Sequence, residues 1–380
     1  MINLAPGTDL DQQRELVRSW LRDHPNPTAR ELADAGLVAP HWPRPWGLDA
    51  DPRVQLVIAE ALADASIKIP DNAIAIGWAG PTIVVGGTTG QQQRWLPGIL
   101  DGSEQWSQLF SEPDAGSDLA SLRTTAVRDG DLYIVNGQKI WSTWANHSQW
   151  GILLARTDSA APKHKGISYF VVDMATPGID VREIIEMTGG NHFNETFLDD
   201  VKIPVQNRIG DEGDGWRLAN VTLGNERVSL SEGGVLWGMG PSPEECFDEI
   251  RRRGGGNDPV RRQRAAKVYS ENFVTGLLTQ KIVDAIIRGD DPSPFASIRK
   301  AKADANAQEM LDLITDLAGP AGMLGIQNRH AEEADPWHWA FLFSRALTIG
   351  GGTAEIQRNI IGERLLGLPR EPQVTTGRIT

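Results

Sequence analysis

Apolar spacing changes period twice along the chain, and this double change limits the fold more than any single motif does. From residue 10 to about 104, apolar side chains recur every three or four positions, as in Leu10 to Leu21 and in Val54, Val57, Ile58, Ala61 and Leu62. That is the spacing of helices with one buried face. Pro40-His-Trp-Pro-Arg-Pro-Trp-Gly47 reads as a stiff loop between two such helices, being too proline-dense for helix or inner strand. Near Trp106 short β-type runs begin: Thr124 to Val127, Leu132 to Val135 and Lys139 to Thr143, separated by Asp129-Gly130 and Asn136-Gly137. Such dipeptides signal hairpins. Further runs follow at Gly151 to Ala155, Ile167 to Asp173 and Thr196 to Ile203. Beyond Gly215 the helical period returns, through about 216–239, 260–289, 296–318, 336–348 and 353–366, interrupted by Gly254-Gly-Gly-Asn-Asp-Pro259. Helix, sheet and helix in succession, without βαβ alternation, predict an α+β chain. Its parts are a helical domain over 1–104, a small antiparallel β domain (barrel or sandwich) over 105–212, and a helical domain over 213–380.

The charge balance narrows function. Fifty acidic side chains against 37 basic ones give a formal charge of −13, which argues against gripping a nucleic-acid backbone. One cysteine, Cys246, permits no internal disulfide and no thiolate zinc cluster. The N-terminus lacks a basic segment followed by an apolar stretch, and no run approaches the roughly 18 apolar residues of a membrane span. A soluble, cytoplasmic protein is the expectation. The 13 tryptophans suit cores, interfaces or a ligand with a flat aromatic face.

Several chemistries lack their motifs. No Gly-x-Gly-x-x-Gly follows a strand, and no Gly-x-x-x-x-Gly-Lys-Ser/Thr is present. The histidines are scattered without i, i+4 pairing, and no Gly-x-Ser-x-Gly elbow occurs; no metal site is expected. Three segments of unusual composition remain. Phe110-Ser-Glu-Pro-Asp-Ala-Gly-Ser-Asp-Leu-Ala-Ser121 offers hydroxyls and backbone amides to a phosphate or ring edge, or is a capped loop before a strand. Lys139-Ile-Trp-Ser-Thr-Trp-Ala145 sets two tryptophans around two hydroxyls, a platform for a heterocycle or a cover for the sheet. Thr348-Ile-Gly-Gly-Gly-Thr-Ala-Glu-Ile-Gln-Arg-Asn359 is a triple-glycine turn opening a helix, where free N–H groups attract anions, or a linker.

Together and in this order, these segments resemble the acyl-CoA dehydrogenase family. The resemblance runs from about residue 10 to 371 and includes Pro113-Asp-Ala-Gly-Ser-Asp118, Val135-Asn-Gly-Gln-Lys-Ile-Trp141 and Gly352-Thr-Ala-Glu-Ile-Gln-Arg358. It implies an N-terminal helical domain, a central antiparallel β-barrel and a C-terminal four-helix bundle, with FAD bound at a subunit interface. The implied reaction is α,β-dehydrogenation of an acyl-CoA thioester in lipid metabolism, of the β-oxidation type. Electrons would pass to an electron-transfer flavoprotein. Carried over by position, Gln108, Phe110 and Ser111 meet the flavin's pyrimidine end, and Ser117 a phosphate. Trp141 packs on the ring system, Thr143 donates near N5, the hydride acceptor, and Thr353 and Glu355 contact FAD from the bundle side. Glu355 stands where relatives more often have Gln. Ser117, Arg227 and Gly351 are the implied substrate contacts.

The chain departs from the family pattern at two places. Many members carry a catalytic glutamate at the position of Gly351, and glycine has no side chain to take a proton. A branch that includes bacterial sterol side-chain enzymes carries its base on the first long helix of the bundle, and Asn225-Glu226-Arg227 matches that placement. Glu226 is therefore the implied base for the α-proton, against the alternative of an ion-paired surface residue. Secondly, Arg251-Arg-Arg-Gly-Gly-Gly-Asn257 and Asp316-Leu-Ala-Gly-Pro-Ala-Gly322 lack the elements that reach a neighbouring subunit's FAD in many homotetramers. A hetero-oligomer and a drifted homo-oligomer, dimer or tetramer, stay open. So do two other functions: a non-catalytic subunit completing a partner's flavin site, and a nitroalkane- or oxygen-reacting flavoenzyme of the same fold.

Overall fold

The computed structural model describes residues 1–2, 9–232, 236, 241–324 and 337–370, with side chains from 227 to 232 and at 293 left aside. Contacts divide the chain into two units, Met1–Glu226 and Arg227–Thr380.

The first unit opens with five α-helices: α1 (Leu10–Asp23), α2 (Ala29–Ala35), α3 (Pro52–Asp64), α4 (Gly80–Gly86) and α5 (Thr89–Leu100). Local chemistry sets their starts. Thr28 and Thr88 close capping boxes with Glu31 and Gln91, and Asp51 caps α3 just before its N-terminal proline. Eight strands follow: β1 (Trp106–Leu109), β2 (Thr125–Asp129), β3 (Leu132–Thr143), β4 (Trp150–Arg156), β5 (Ile167–Asp173), β6 (Ile179–Glu183), β7 (Phe193–Pro204) and β8 (Arg208–Ile209). They form one sheet in the order β6-β7-β3-β2-β4-β5-β8, with β1 paired to β4.

The hairpin β2–β3 and the pairs β3–β7, β4–β5, β5–β8 and β6–β7 are antiparallel. β1, however, runs parallel to β4, and Thr125 meets Arg156 in parallel sense, so the sheet is mixed. A parallel partner needs a long crossover, and here the β2–β3 hairpin fills that interval.

Burial explains why β4 and β5 read as unbroken apolar runs. Ile152, Leu154, Ile167, Tyr169 and Val171 face a core shared with the helices. Their alternates Leu153, Ala155, Phe170 and Val172 face a second core with Tyr133, Val135, Leu198 and Val201. A strand buried on both faces loses its alternation. Trp95 of α5 packs edge-on against Trp106 and Trp150, which stack on each other.

Helix α6 (Gly215–Glu232) leaves the sheet unit. A Cβ at Gly215 would lie 2.6 Å from the Ser168 carbonyl carbon, so glycine permits the close start of α6 against β5. The second unit holds α7 (Pro243–Arg252), α8 (Pro259–Arg288), α9 (Ser293–Ala318), α10 (Trp337–Phe343) and α11 (Ala354–Ile360). The sequence pattern did not predict α7, although Ser242 and Glu245 form a capping box at its start. Among the described residues no helix is long and apolar enough to cross a membrane.

Candidate active site

The Trp-Ser-Thr segment closes β3 at a bulge. The β3–β7 register shifts between Lys139 and Ser142, and Trp141 adopts φ +62, an uncommon conformation for a bulky side chain. The bulge turns the indole outward: Trp141 is 56% exposed, with its edge against Phe193 at 6.1 Å. Trp144 also has a positive φ, and its amide donates to the His192 carbonyl at 2.9 Å.

Backbone contacts bring the first sequence segment to this bulge. Ser107 Oγ donates to the Thr143 carbonyl at 2.9 Å, and the Ile140 amide donates to the Ser111 carbonyl at 2.9 Å. Gln108, Phe110 and Ser111 are thus carried alongside Trp141 and Thr143. The Phe110 ring is buried and packs edge-on against Tyr169, so this residue presents only backbone. Ser117 lies apart, on an exposed loop fastened by Asp118, whose carboxylate accepts from Lys163 and Ser121. Beneath the bulge, Lys139 is 0% exposed and donates to Glu112 Oε1 at 2.8 Å and to the Phe110 carbonyl at 3.1 Å. Glu112 also accepts the amides of Arg123 and Thr124, at 2.6 and 2.9 Å.

Electrostatics follow from this burial. Burial pushes the Lys139 ammonium down to about 8, with Glu112 resisting the fall. At Glu112 burial acts against the charge, but Lys139 and the donors from Thr124 and Arg123 outweigh it and hold the carboxyl below its usual range.

Glu226 owes its position to a stripe on α6. Leu218, Thr222 and Glu226, spaced four apart, share one helix face, and all three are buried, Glu226 being 8% exposed. Thr222 Oγ1 lies 2.8 Å from Thr82 Oγ1 and 3.1 Å from the Tyr169 hydroxyl. These bonds tie the stripe to α4 and β5 one turn before the carboxylate. Glu226 is thus a buried residue of α6, not one exposed on its surface. Arg227 lies in α6, but its side chain falls outside the described ones.

In the second unit the triple-glycine turn is held from inside. Gly351 and Gly352 have φ +63 and +89. The fully buried Gln357 donates Nε2 to their carbonyls at 3.1 and 3.2 Å. Lys300, paired with Asp304 at 2.7 Å, donates to the Leu347 carbonyl just before the turn. Thr353 caps α11 by accepting the Ile356 amide. Glu355 is exposed; the α11 backbone and the Thr353 hydroxyl lower its pKa.

Sequence profiles of the acyl-CoA dehydrogenase N-terminal, middle and C-terminal domains match residues 11–103, 107–201 and 213–366. The chain belongs to the acyl-CoA dehydrogenase family. It is 43% identical over 342 residues to the acyl-CoA dehydrogenase FadE34 of Mycobacterium tuberculosis, covering 89% of this chain and 46% of that protein. The chain thus spans about half the length of that relative. The Tcur3481-Tcur3483 steroid ACAD superposes with TM-score 0.77 at 26% identity, covering 98% of this chain and all of the other. The ChsE4-ChsE5 complex from Mycobacterium tuberculosis gives TM-score 0.74 at 30% identity, covering 98% and 100%.

Acyl-CoA dehydrogenases are flavin-dependent in general, and the first unit carries groups that fit such a cofactor. A planar heterocycle needs an aromatic face and hydrogen-bonding groups at its edge. Trp141 offers an exposed ring, Thr143 a half-buried hydroxyl, and Gln108 a buried Oε1 with no hydrogen-bond partner among the described residues. Neither Lys139 nor Glu112 stands out in the sequence; a lysine two residues before a tryptophan in an apolar strand is the signal available. No group of His, Cys, Asp and Glu suited to a metal ion occurs among the described residues.

Proposed function

We propose that this chain carries out FAD-dependent α,β-dehydrogenation of an acyl-CoA thioester whose acyl part includes a steroid or similar ring system. Its three domains would divide near residues 104 and 212. The observation that carries the reading is the buried Glu226 carboxylate on α6, in a chain whose Gly351 has no side chain to act as base. An α-hydrogen of a thioester is a weak acid, so its removal needs a positioned base. Glu226 takes that proton as the β-hydrogen leaves as hydride. FAD, when bound, supplies the hydride acceptor. Trp141 and Thr143 hold the ring system, with Gln108 and the Ser111 backbone at its polar edge and Thr353 and Glu355 as further contacts. Ser117 and Arg227 serve the CoA moiety, and the Gly351 amide polarises the thioester carbonyl without a side chain. The ring-bearing acyl group rests on similarity to the steroid ACAD. An electron-transfer flavoprotein is the proposed electron acceptor.

A second reading, a chain that completes a partner's flavin site, draws on one observation. Arg251, Arg252 and Arg253, in the segment that lacks the neighbour-reaching element, pair with Asp248 and Glu249 of α7. Similarity to the ChsE4-ChsE5 complex supports a hetero-oligomer in either case. Anaerobic mixing of the FAD-loaded chain with acyl-CoA thioesters, short-chain and steroid-bearing, separates the readings. Bleaching of the flavin by the steroid thioesters supports catalysis here. No bleaching by any thioester supports the second reading, and oxygen consumption in air points to an oxygen-reacting relative.

A further inference from the structure

The buried pair Lys139–Glu112 is stability-costly by construction. Two charges leave water, and apolar side chains of similar volume commonly hold a protein together as well or better. What such a pair supplies is direction. Lys139 reaches both the Phe110 carbonyl and Glu112, and Glu112 gathers the amides of Arg123 and Thr124. Four bonds therefore lock three chain segments: β3, the turn after β1, and the chain entering β2. Hydrocarbon could fill the same space but would let those segments slide.

The lock acts on the bulge. Ile140, directly after Lys139, donates to the Ser111 carbonyl, and Trp141 follows at φ +62. A residue in that conformation persists only where its surroundings over-determine it. On the far side, Asn194 Nδ2 donates to the Ser142 carbonyl at 3.1 Å and Ser107 fixes Thr143. On the near side, the Lys139 contacts are the side-chain anchors.

We propose that Lys139 and Glu112 are positioning residues for the flavin site, setting the separation between the Gln108–Ser111 edge and the Trp141–Thr143 face. The assignment rests on the flavin reading of that face. Neither residue touches the cofactor; both act through the backbone of Phe110 and Ile140.

The test is FAD affinity of the full-length chain, measured by flavin fluorescence quenching on apoprotein, beside the melting temperature of the same apoprotein. Lys139→Met removes one charge and strands Glu112. Lys139→Met/Glu112→Gln removes both charges and keeps one acceptor oxygen, enough for one of the Arg123 and Thr124 amides, which makes it the milder of the two variants. The double variant should melt close to wild type yet bind FAD about tenfold more weakly, the equivalent of one lost directional contact. Its bound flavin should also show a blurred visible band. Lys139→Arg, which keeps the charge, should recover part of the affinity. Equal affinity in wild type and the double variant would overturn the positioning role and leave the flavin site standing. Loss of FAD that only follows unfolding would overturn it as well. A wild-type chain that takes up no FAD would sink the flavin reading, and this proposal with it.

Discussion

Gln357 Nε2 donates to the carbonyl of Gly351 at 3.1 Å, from a side chain with no solvent exposure. The bond turns that carbonyl into the protein and holds Gly351 at φ +63. A glutamate there would enter the left-handed region, at a cost of about 1–2 kcal/mol. Gly351→Glu is therefore expected to lower unfolding free energy by about that much and, combined with Glu226→Gln, to leave flavin reduction absent. Denaturant unfolding and stopped-flow absorbance check both parts, and full recovery of reduction would show that the site accepts either placement of the base.

Thr222 offers a second test, because it joins Thr82 and Tyr169 inside the core. Thr222→Val keeps the shape and leaves buried hydroxyls short of a partner, which typically costs about 1–3 kcal/mol. Urea unfolding should show that loss with an unchanged m-value. A change below about 0.5 kcal/mol, the usual range for surface substitutions, would mean that the hydroxyl chain does not anchor α6.

Lys139 predicts an unusual pH dependence. Its pKa falls to about 8 on folding, whereas an unfolded lysine holds its proton to about 10.4. Between these values the unfolded chain binds more protons than the folded one, so this group's contribution to stability rises with pH. Wild type should gain stability relative to Lys139→Met from pH 8 to about 10, measured by urea unfolding at each pH. A flat difference across that window would contradict the assignment.

Assembly is tested by light scattering with a flavin-to-protein absorbance ratio. With Arg251–Arg253 engaged by α7's own carboxylates, the chain expressed alone should be a dimer or tetramer with low flavin occupancy. A cognate homologous chain should raise that occupancy. A homotetramer with one FAD per chain would exclude the hetero-oligomer and leave the dehydrogenase reading intact.

Much of this architecture is written locally. The alternating and continuous apolar runs mark β3, β4 and β5, because each strand's faces are set by its own residues. The stripe Leu218, Thr222 and Glu226, spaced four residues apart, is likewise visible on one helix. The parallel docking of β1 on β4 has no local signal, since it depends on the long crossover from Leu109 to Trp150. The Lys139–Glu112 contact escapes for the same reason: a lysine and a glutamate 27 positions apart read as two surface charges until the fold buries them together. Trp141 was legible as an aromatic platform, but its outward turn comes from the bulge, which only the pairing with β7 reveals. α7 is different, because its capping box was readable and its polar, charged helix gave weak apolar periodicity.

The role of Glu226 as base is tested by anaerobic reduction of the flavin in Glu226→Gln beside wild type, with the best thioester from the panel. The amide keeps the size of the carboxylate and cannot accept a proton at neutral pH. The variant is expected to bind FAD and thioester as wild type does while flavin reduction is abolished. Reduction at near wild-type rate would contradict this and remove Glu226 as the base.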